Sequence, residues 1–189
     1  MALLSALEKR RAYRGMTKET VDKETLTRLA EAARLAPSSG NKQPWRIVTV
    51  VDPEQLKSLG TALTDGNYWA LHAPVLTAFV TNSSWSNVMG KREYASFELG
   101  MAAMAYQLQA VEEGLLVHPM SGFNEAKAKE VLGINDDESV FVLVAVGVKG
   151  DTSYLGEKHL AQETSPRNRK DLKEIFAFDS WNENLYPSA

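Results

Sequence analysis

The run SVFVLVAVGV, Ser139 to Val148, constrains the fold more than any other stretch of the chain. It is apolar and β-branched without polar alternation, so as a strand it needs cover on both faces and belongs at the centre of a sheet. Further strands are predicted at Arg46–Val51, at Pro74–Thr81 and from Leu115 to a break at Pro119. After that break the chain turns through Gly122 into a helix capped by Asn124, which closes at Leu132 before Gly133.

Helical patterns separate these strands. Leu26, Leu29, Ala30 and Ala33 recur at three- and four-residue intervals behind Asp22, an N-cap. Asp52-Pro53-Glu54-Gln55 supplies an N-cap, a proline at the first helical position and a residue able to close a capping box. The longest pattern, Lys91 to Glu113, carries Phe97, Met101, Met104, Tyr106, Leu108 and Val111 among the small residues Gly100, Ala102, Ala103 and Ala105. Small residues allow close approach, so this helix is expected to be buried against the sheet or a second subunit. The N-terminal stretch begins as a short helix with Leu3, Leu4 and Leu7 on one face. With 189 residues and 44% hydrophobic content, positions 1–189 are expected to form one domain with a real core.

Three polar constellations stand out against this frame. Ala36 to Arg46, APSSGNKQPWR, stops the preceding helix at Pro37 and places Ser38, Ser39, Asn41 and Gln43 on one short loop. Two hydroxyls and two carboxamides can donate and accept around a planar heteroaromatic ligand, or can satisfy the loop's own backbone. Arg10, Arg11 and Arg14 follow the first apolar face. They complement a helix C-terminus, and they also make a phosphate clamp, because guanidinium groups bind phosphate bidentately and keep their charge. The run LLVHPMSGFN, Leu115 to Asn124, contains a glycine that would let backbone approach a flat ligand. Asp65-Gly66-Asn67 is a turn by composition, and NSSWSNVMG, Asn82 to Gly90, is a surface connection or a lid.

Other chemistry is excluded. The chain has no cysteine, so redox work would need a bound organic cofactor, and its three histidines, His72, His118 and His159, lack metal-ligand spacing. There is no G-x-G-x-x-G, Gly90-Lys91-Arg92 lacks the rest of a P-loop, and no Ser–His–Asp arrangement is legible. A net charge of −3 invites no nucleic acid. Without a signal peptide or an apolar run of ~18 residues, a cytoplasmic protein is expected, with no membrane partner.

Four of these pieces, in this order, resemble the nitroreductase-like flavoproteins. Arg10 and Arg14 match the basic positions of the opening motif that holds the flavin phosphate, with Arg11 beside them, while Ala12 and Met16 stand where the family often has Ser and Phe. Pro37, Ser38, Ser39, Asn41 and Gln43 match the PSS-x-N-x-QPW loop, and Pro119, Met120, Ser121 and Gly122 match the P-x-x-GF segment along the flavin ring. Arg167 and Arg169 match the C-terminal basic motif, with Asp171 replacing its usual proline. Asn67 corresponds to a position at the pyrimidine edge.

The resemblance implies an α+β fold, a mostly antiparallel central sheet flanked by helices, in a homodimer with FMN at the interface. Residues 151–189 become an extension packing on the partner. The implied activity passes a hydride from NAD(P)H through FMN to an electron-poor acceptor, a nitro compound or a quinone, by a ping-pong scheme. No side chain of this chain is assigned as catalytic acid or base. A flavin carrier or flavin-modifying relative, and a regulatory module binding another phosphorylated ligand, are the alternatives.

Overall fold

The computed structural model describes residues 2–186. Its frame is a four-stranded sheet in the order β1-β2-β6-β5, with every neighbouring pair antiparallel. The strands are β1 (Arg46–Val50), β2 (Val75–Thr81), β5 (Leu116–Met120) and β6 (Ser139–Gly147). A small hairpin of β3 (Val88–Met89) and β4 (Arg92–Glu93) stands apart from the sheet. The apolar run from Ser139 does occupy an interior position. Its beginning departs from expectation, because the register slips between Phe79 and Val80 and leaves Phe141 in the bulge, exposed.

Each face of the sheet carries its own core. On one face α2 (Lys23–Arg34) and α4 (Ala95–Glu112) bring Leu29, Leu99 and Tyr106 against Phe79, Val117 and Val144. On the other, α3 (Pro53–Gly60), α5 (Glu125–Leu132) and a 3-10 run at Asp65–His72 bring Leu59, Trp69 and Ala128 against Leu76, Ala78 and Leu143. The Tyr106 hydroxyl, which burial would penalise, lies 2.9 Å from Thr77 Oγ1, and Thr77 lies 3.2 Å from Thr49 Oγ1. Asp22, Asp52 and Asn124 each accept a backbone N–H at a helix start, as their sequence positions suggest.

Five local expectations need correcting. The long helix starts at Ala95, because Lys91 belongs to the hairpin turn and Gly90 takes φ +64° there. The fourth strand does not break at Pro119: it runs to Met120 with Pro119 opposite Val144, and as an edge strand it needs no donor on its outer side. Gln55 does not close a capping box, since its carboxamide donates to Val131 O at 2.8 Å. In α1 (Ser5–Lys9) the buried residue is Ala6, while Leu3 and Leu4 are 60% and 69% exposed. The segment after Gly150 is partly core, for Leu155 is buried beside Met16 and Trp69. No helix of the described residues is long and apolar enough to cross a membrane.

Candidate functional site

Beyond α1 the chain runs alongside the edge strand β5, where Tyr13 O lies 3.2 Å from His118 Nδ1. The segment after Gly150 folds back onto it. The Tyr154 hydroxyl donates to Arg14 O at 2.6 Å, and Glu163 of α6 (Glu157–Thr164) accepts the backbone N–H groups of Arg14 and Gly15 at 2.8 and 3.3 Å. Arg167 donates to the carbonyls of Leu7, Glu8 and Arg10, which α1 leaves without helical partners. Arg11 reciprocates with a bond to Ser165 O at 2.6 Å.

This stitching brings the two ends of the arginine set together. Arg10, Arg11, Arg14, Arg167 and Arg169 all line one cleft of about 300 Å³. Among the described residues no carboxylate lies within 4 Å of Arg10, Arg11, Arg167 or Arg169. Burial, and then the positive charges of Arg167 and Arg169, hold the Arg10 pKa below its ordinary value. Two of the five have structural duties. Arg167 and Arg11 are committed to backbone carbonyls, whereas among the described residues Arg169 donates only to the carbonyl of Asn168, so Arg10 and Arg169 carry the least engaged guanidiniums there.

Arg14 differs from the rest. Its guanidinium lies 3.8 Å from Glu163 and 5.8 Å from the Trp69 ring centre, and its Nε is buried with no hydrogen-bond partner among the described residues. The Trp69 ring in turn packs on His118 with centres 4.4 Å apart. His118 is 8% exposed, and burial, with Arg14 adding to it, lowers its pKa to about 4. Its imidazole is therefore neutral at pH 7.

From His118 the edge strand leads to the second group of predicted residues. Gly122 O accepts three donors, Thr64 N at 3.0 Å, Thr64 Oγ1 at 2.9 Å and Asn67 Nδ2 at 2.8 Å. A Cβ at Gly122 would come within 2.7 Å of Asn67 Nδ2 and 2.8 Å of Thr64 Oγ1. Glycine is thus required here by its own neighbours, which is a different reason from the ligand approach suggested by sequence. The donor end of Asn67 is spent on this carbonyl, and its Oδ1 has no partner among the described residues. Pro119, Met120, Ser121 and Gly122 follow His118 along the end of β5, with Asn67 bonded to Gly122, and His118 packs on the Trp69 ring that lies near Arg14.

The third group stands apart. Ser38 Oγ accepts from Gln43 N at 2.9 Å, Ser39 Oγ accepts from Asn87 Nδ2 at 2.6 Å, and Gln43 Nε2 reaches Asn41. Gly40, Asn41 and Gln43 all have positive φ, at 58°, 54° and 49°. Two non-glycine residues in that region cost roughly 1 kcal/mol or more each, a strain that clusters at functional loops. This loop precedes β1, at the edge of the sheet opposite β5, three strand spacings or ~14 Å across. One chain therefore does not bring Ser38–Gln43 to the arginine cleft.

Sequence reasoning missed Trp69, Glu163 and Glu98. Only Glu98 left a signal, as a carboxylate inside the otherwise apolar run FELGMAAMA. It is 2% exposed in the structure.

Comparison with known proteins gives these groups a context. The model of the nitroreductase family matches residues 7–67 and 61–148. A Thermus thermophilus protein named NADH dehydrogenase is 30% identical over 181 residues, covering 79% of this chain and 88% of its own. An NAD(P)H-dependent FMN reductase of Bacillus subtilis is 36% identical over 77 residues, 41% of this chain and 30% of its own length. Among solved structures, an oxidoreductase containing FMN superposes with a TM-score of 0.86 at 28% identity, over 96% of this chain and 94% of that one.

Proposed function

The chain belongs to the nitroreductase family, and from that premise we propose that it is an FMN-dependent oxidoreductase passing a hydride from NAD(P)H to an electron-poor acceptor, a nitro compound or a quinone. The observation that carries this function is the cleft lined by five arginines, of which Arg10, Arg11, Arg167 and Arg169 have no carboxylate within 4 Å among the described residues. From His118 to Gly122 four residue steps along the β5 edge reach at most about 13 Å, a length that suits an elongated ligand with a phosphate at one end and a flat ring at the other. Arg14 lines the same cleft, and its buried Nε, without a partner among the described residues, fits a ligand acceptor.

When bound, FMN supplies the hydride chemistry. The residues of this chain bind and orient. Arg10 and Arg169 hold the phosphate, Arg11 and Arg167 tie the cleft walls, and Arg14 is braced by Glu163 and Trp69. The backbone of Pro119–Gly122, fixed by Thr64 and Asn67, supports the ring. Ser38, Ser39, Asn41 and Gln43 would offer amide and hydroxyl groups to the ring end of the cofactor, where donors favour negative charge. Among the described residues none is assigned as acid or base. The test is the visible spectrum of the purified protein during anaerobic addition of NADH or NADPH. Bleaching of bound flavin is expected with one of them, and an unbleached flavin would point to the carrier or flavin-modifying alternative.

With one flavin platform and no separate dinucleotide fold, donor and acceptor take turns at the same face. Steady-state rates at varied donor and acceptor should give parallel double-reciprocal lines, whereas intersecting lines would show a ternary complex.

The separation of the Ser38–Gln43 loop from the arginine cleft is resolved by a homodimer in which the loop serves the partner's flavin. Support comes from two partly exposed apolar surfaces. Phe97, Met101, Met104 and Leu108 recur along one side of α4 away from the sheet core, and Phe97 is 62% exposed. Farther on, the segment after Gly150 exposes Phe176, Phe178 and Trp181, which would pack on the partner. FMN bound between subunits stabilises the dimer by mass action, so apoprotein should dissociate on dilution at concentrations where flavin-loaded protein stays dimeric. Sedimentation over a dilution series reads this directly, and flavin-loaded monomers would contradict it. A cytoplasmic setting, where reduced nicotinamides are at hand, accompanies this function.

A further inference from the structure

Glu98 is an unusual guest in the α4 core. It is a carboxylate with 2% exposure, and among the described residues no cationic side chain lies within 4 Å of it. Such a group persists only if hydrogen bonds and local dipoles replace its water. Two short bonds do so. Ser39 N donates to Oε1 at 2.7 Å, and the Ser86 hydroxyl donates to Oε2 at 2.6 Å. The position in the first turn of α4 adds the favourable end of the helix dipole.

Ser39 opens the strained loop, directly before the three left-handed residues Gly40, Asn41 and Gln43. Asn87 completes the joint, donating to Ser39 Oγ at 2.6 Å and accepting from Lys42 Nζ at 2.6 Å. The loop is thus anchored to the start of α4 and to the segment leading into the hairpin. Its own internal bonds, Gln43 N to Ser38 Oγ and Gln43 Nε2 to Asn41, connect only loop residues to each other and do not fix it to the body of the protein.

We propose that Glu98 is a positioning residue: its buried carboxylate, clamped between Ser39 N and Ser86 Oγ, presets the Ser38–Gln43 loop for the flavin ring. This rests on the flavin function proposed above. Glu98 touches no ligand in this scheme and acts only through the loop. Its effect falls on the ring end of the cofactor and spares the phosphate end.

The test uses the full-length protein as Glu98→Ala, Glu98→Gln and Ser86→Ala, with two readouts. In flavin-free protein, trypsin cleavage after Lys42, followed by mass, reports order in the loop without reference to any ligand. Affinity for FMN and for riboflavin, by fluorescence quenching, reports the ring end, since riboflavin lacks the phosphate. Glu98→Ala should raise cleavage at Lys42 at least fivefold and weaken both flavins by the same factor, about tenfold, with a shifted visible band of the bound flavin. Glu98→Gln keeps an acceptor for Ser39 N and should stay within threefold of wild type on both readouts. Ser86→Ala leaves Ser39 bonded and should fall between them, and it decides the matter if Glu98→Ala does not fold. Unchanged cleavage at Lys42 overturns the clamp, and raised cleavage with unchanged flavin affinity overturns its link to the cofactor. Wild-type protein that binds neither flavin overturns the proposed function, and the inference with it, while the cleavage arm still reports whether Glu98 holds the loop.

Discussion

Replacing Arg10 and Arg169 together by alanine is expected to weaken FMN binding about a hundredfold or more and to leave riboflavin binding nearly unchanged. Each guanidinium lost removes a charge-assisted hydrogen bond to phosphate, roughly 1.5–3 kcal/mol, and a tenfold change in affinity corresponds to about 1.4 kcal/mol. These two residues are the right pair because their head groups are the least engaged by the protein itself. Arg167 is bound to the carbonyls of Leu7, Glu8 and Arg10, so Arg167→Ala should lower thermal stability as well as FMN affinity. Arg10 also lies close enough to Arg167 and Arg169 for their charges to depress its pKa, and a bound phosphate relieves that repulsion. Folding should therefore be unharmed, or improved, by the double substitution in flavin-free protein. Fluorescence titration with the two flavins, alongside melting curves, checks all of this. A double variant that keeps wild-type FMN affinity would move the phosphate site elsewhere.

Much of the frame was legible because apolar periodicity and caps are local. The strand from Ser139, the caps at Asp22, Asp52 and Asn124 and the stop at Gly133 all follow from residues within a few positions of each other. What failed depended on partners distant in sequence. Pro119 reads as a strand break until the sheet order makes β5 an edge, where a missing donor costs nothing. Lys91 and Arg92 continue a helical pattern on paper, but a left-handed Gly90 puts Lys91 in a turn and pairs Arg92 with Met89 in a hairpin.

The candidate site shows the same division. Arginine clusters at both ends of the chain were visible as cations, yet which guanidiniums are spent on carbonyls is settled by contacts 154 to 160 residues apart. Gly122 was singled out for its freedom to approach a ligand, whereas the structure shows that Asn67 and Thr64 fill the space a side chain would need. Trp69 gave no sign at all, and His118 showed only that it lacks metal-ligand spacing. An aromatic and a histidine in apolar runs are ordinary core residues, and only the fold stacks them beneath Arg14.

That stack makes the stability of the flavin-free protein depend on pH through His118, by about 3 kcal/mol between pH 7 and pH 4. In the folded state its pKa is lowered to about 4, from an ordinary value of 6.5, chiefly by burial and then by the Arg14 charge. The unfolded chain therefore takes up this proton first. Stability is fully present above pH 6.5, falls as pH drops from 6.5 toward 4, and levels off below the folded pKa. The carboxylates act lower, since Glu113, held by Arg28, has its pKa lowered to about 2 and loses its contribution only below its ordinary 4.5. His72 and His159 are also shifted down by burial and add a loss of the same sign, so the wild-type slope alone does not isolate His118. His118→Asn does, because its amide can still donate to Tyr13 O while carrying no titratable group. The variant should start less stable at pH 7, having lost the ring against Trp69, and should fall far less steeply toward pH 4. Urea unfolding at fixed protein concentration, at half-unit steps between pH 7 and 4, measures both slopes. Parallel curves for wild type and His118→Asn would mean that His118 keeps its ordinary pKa in the folded state, its surroundings open to water.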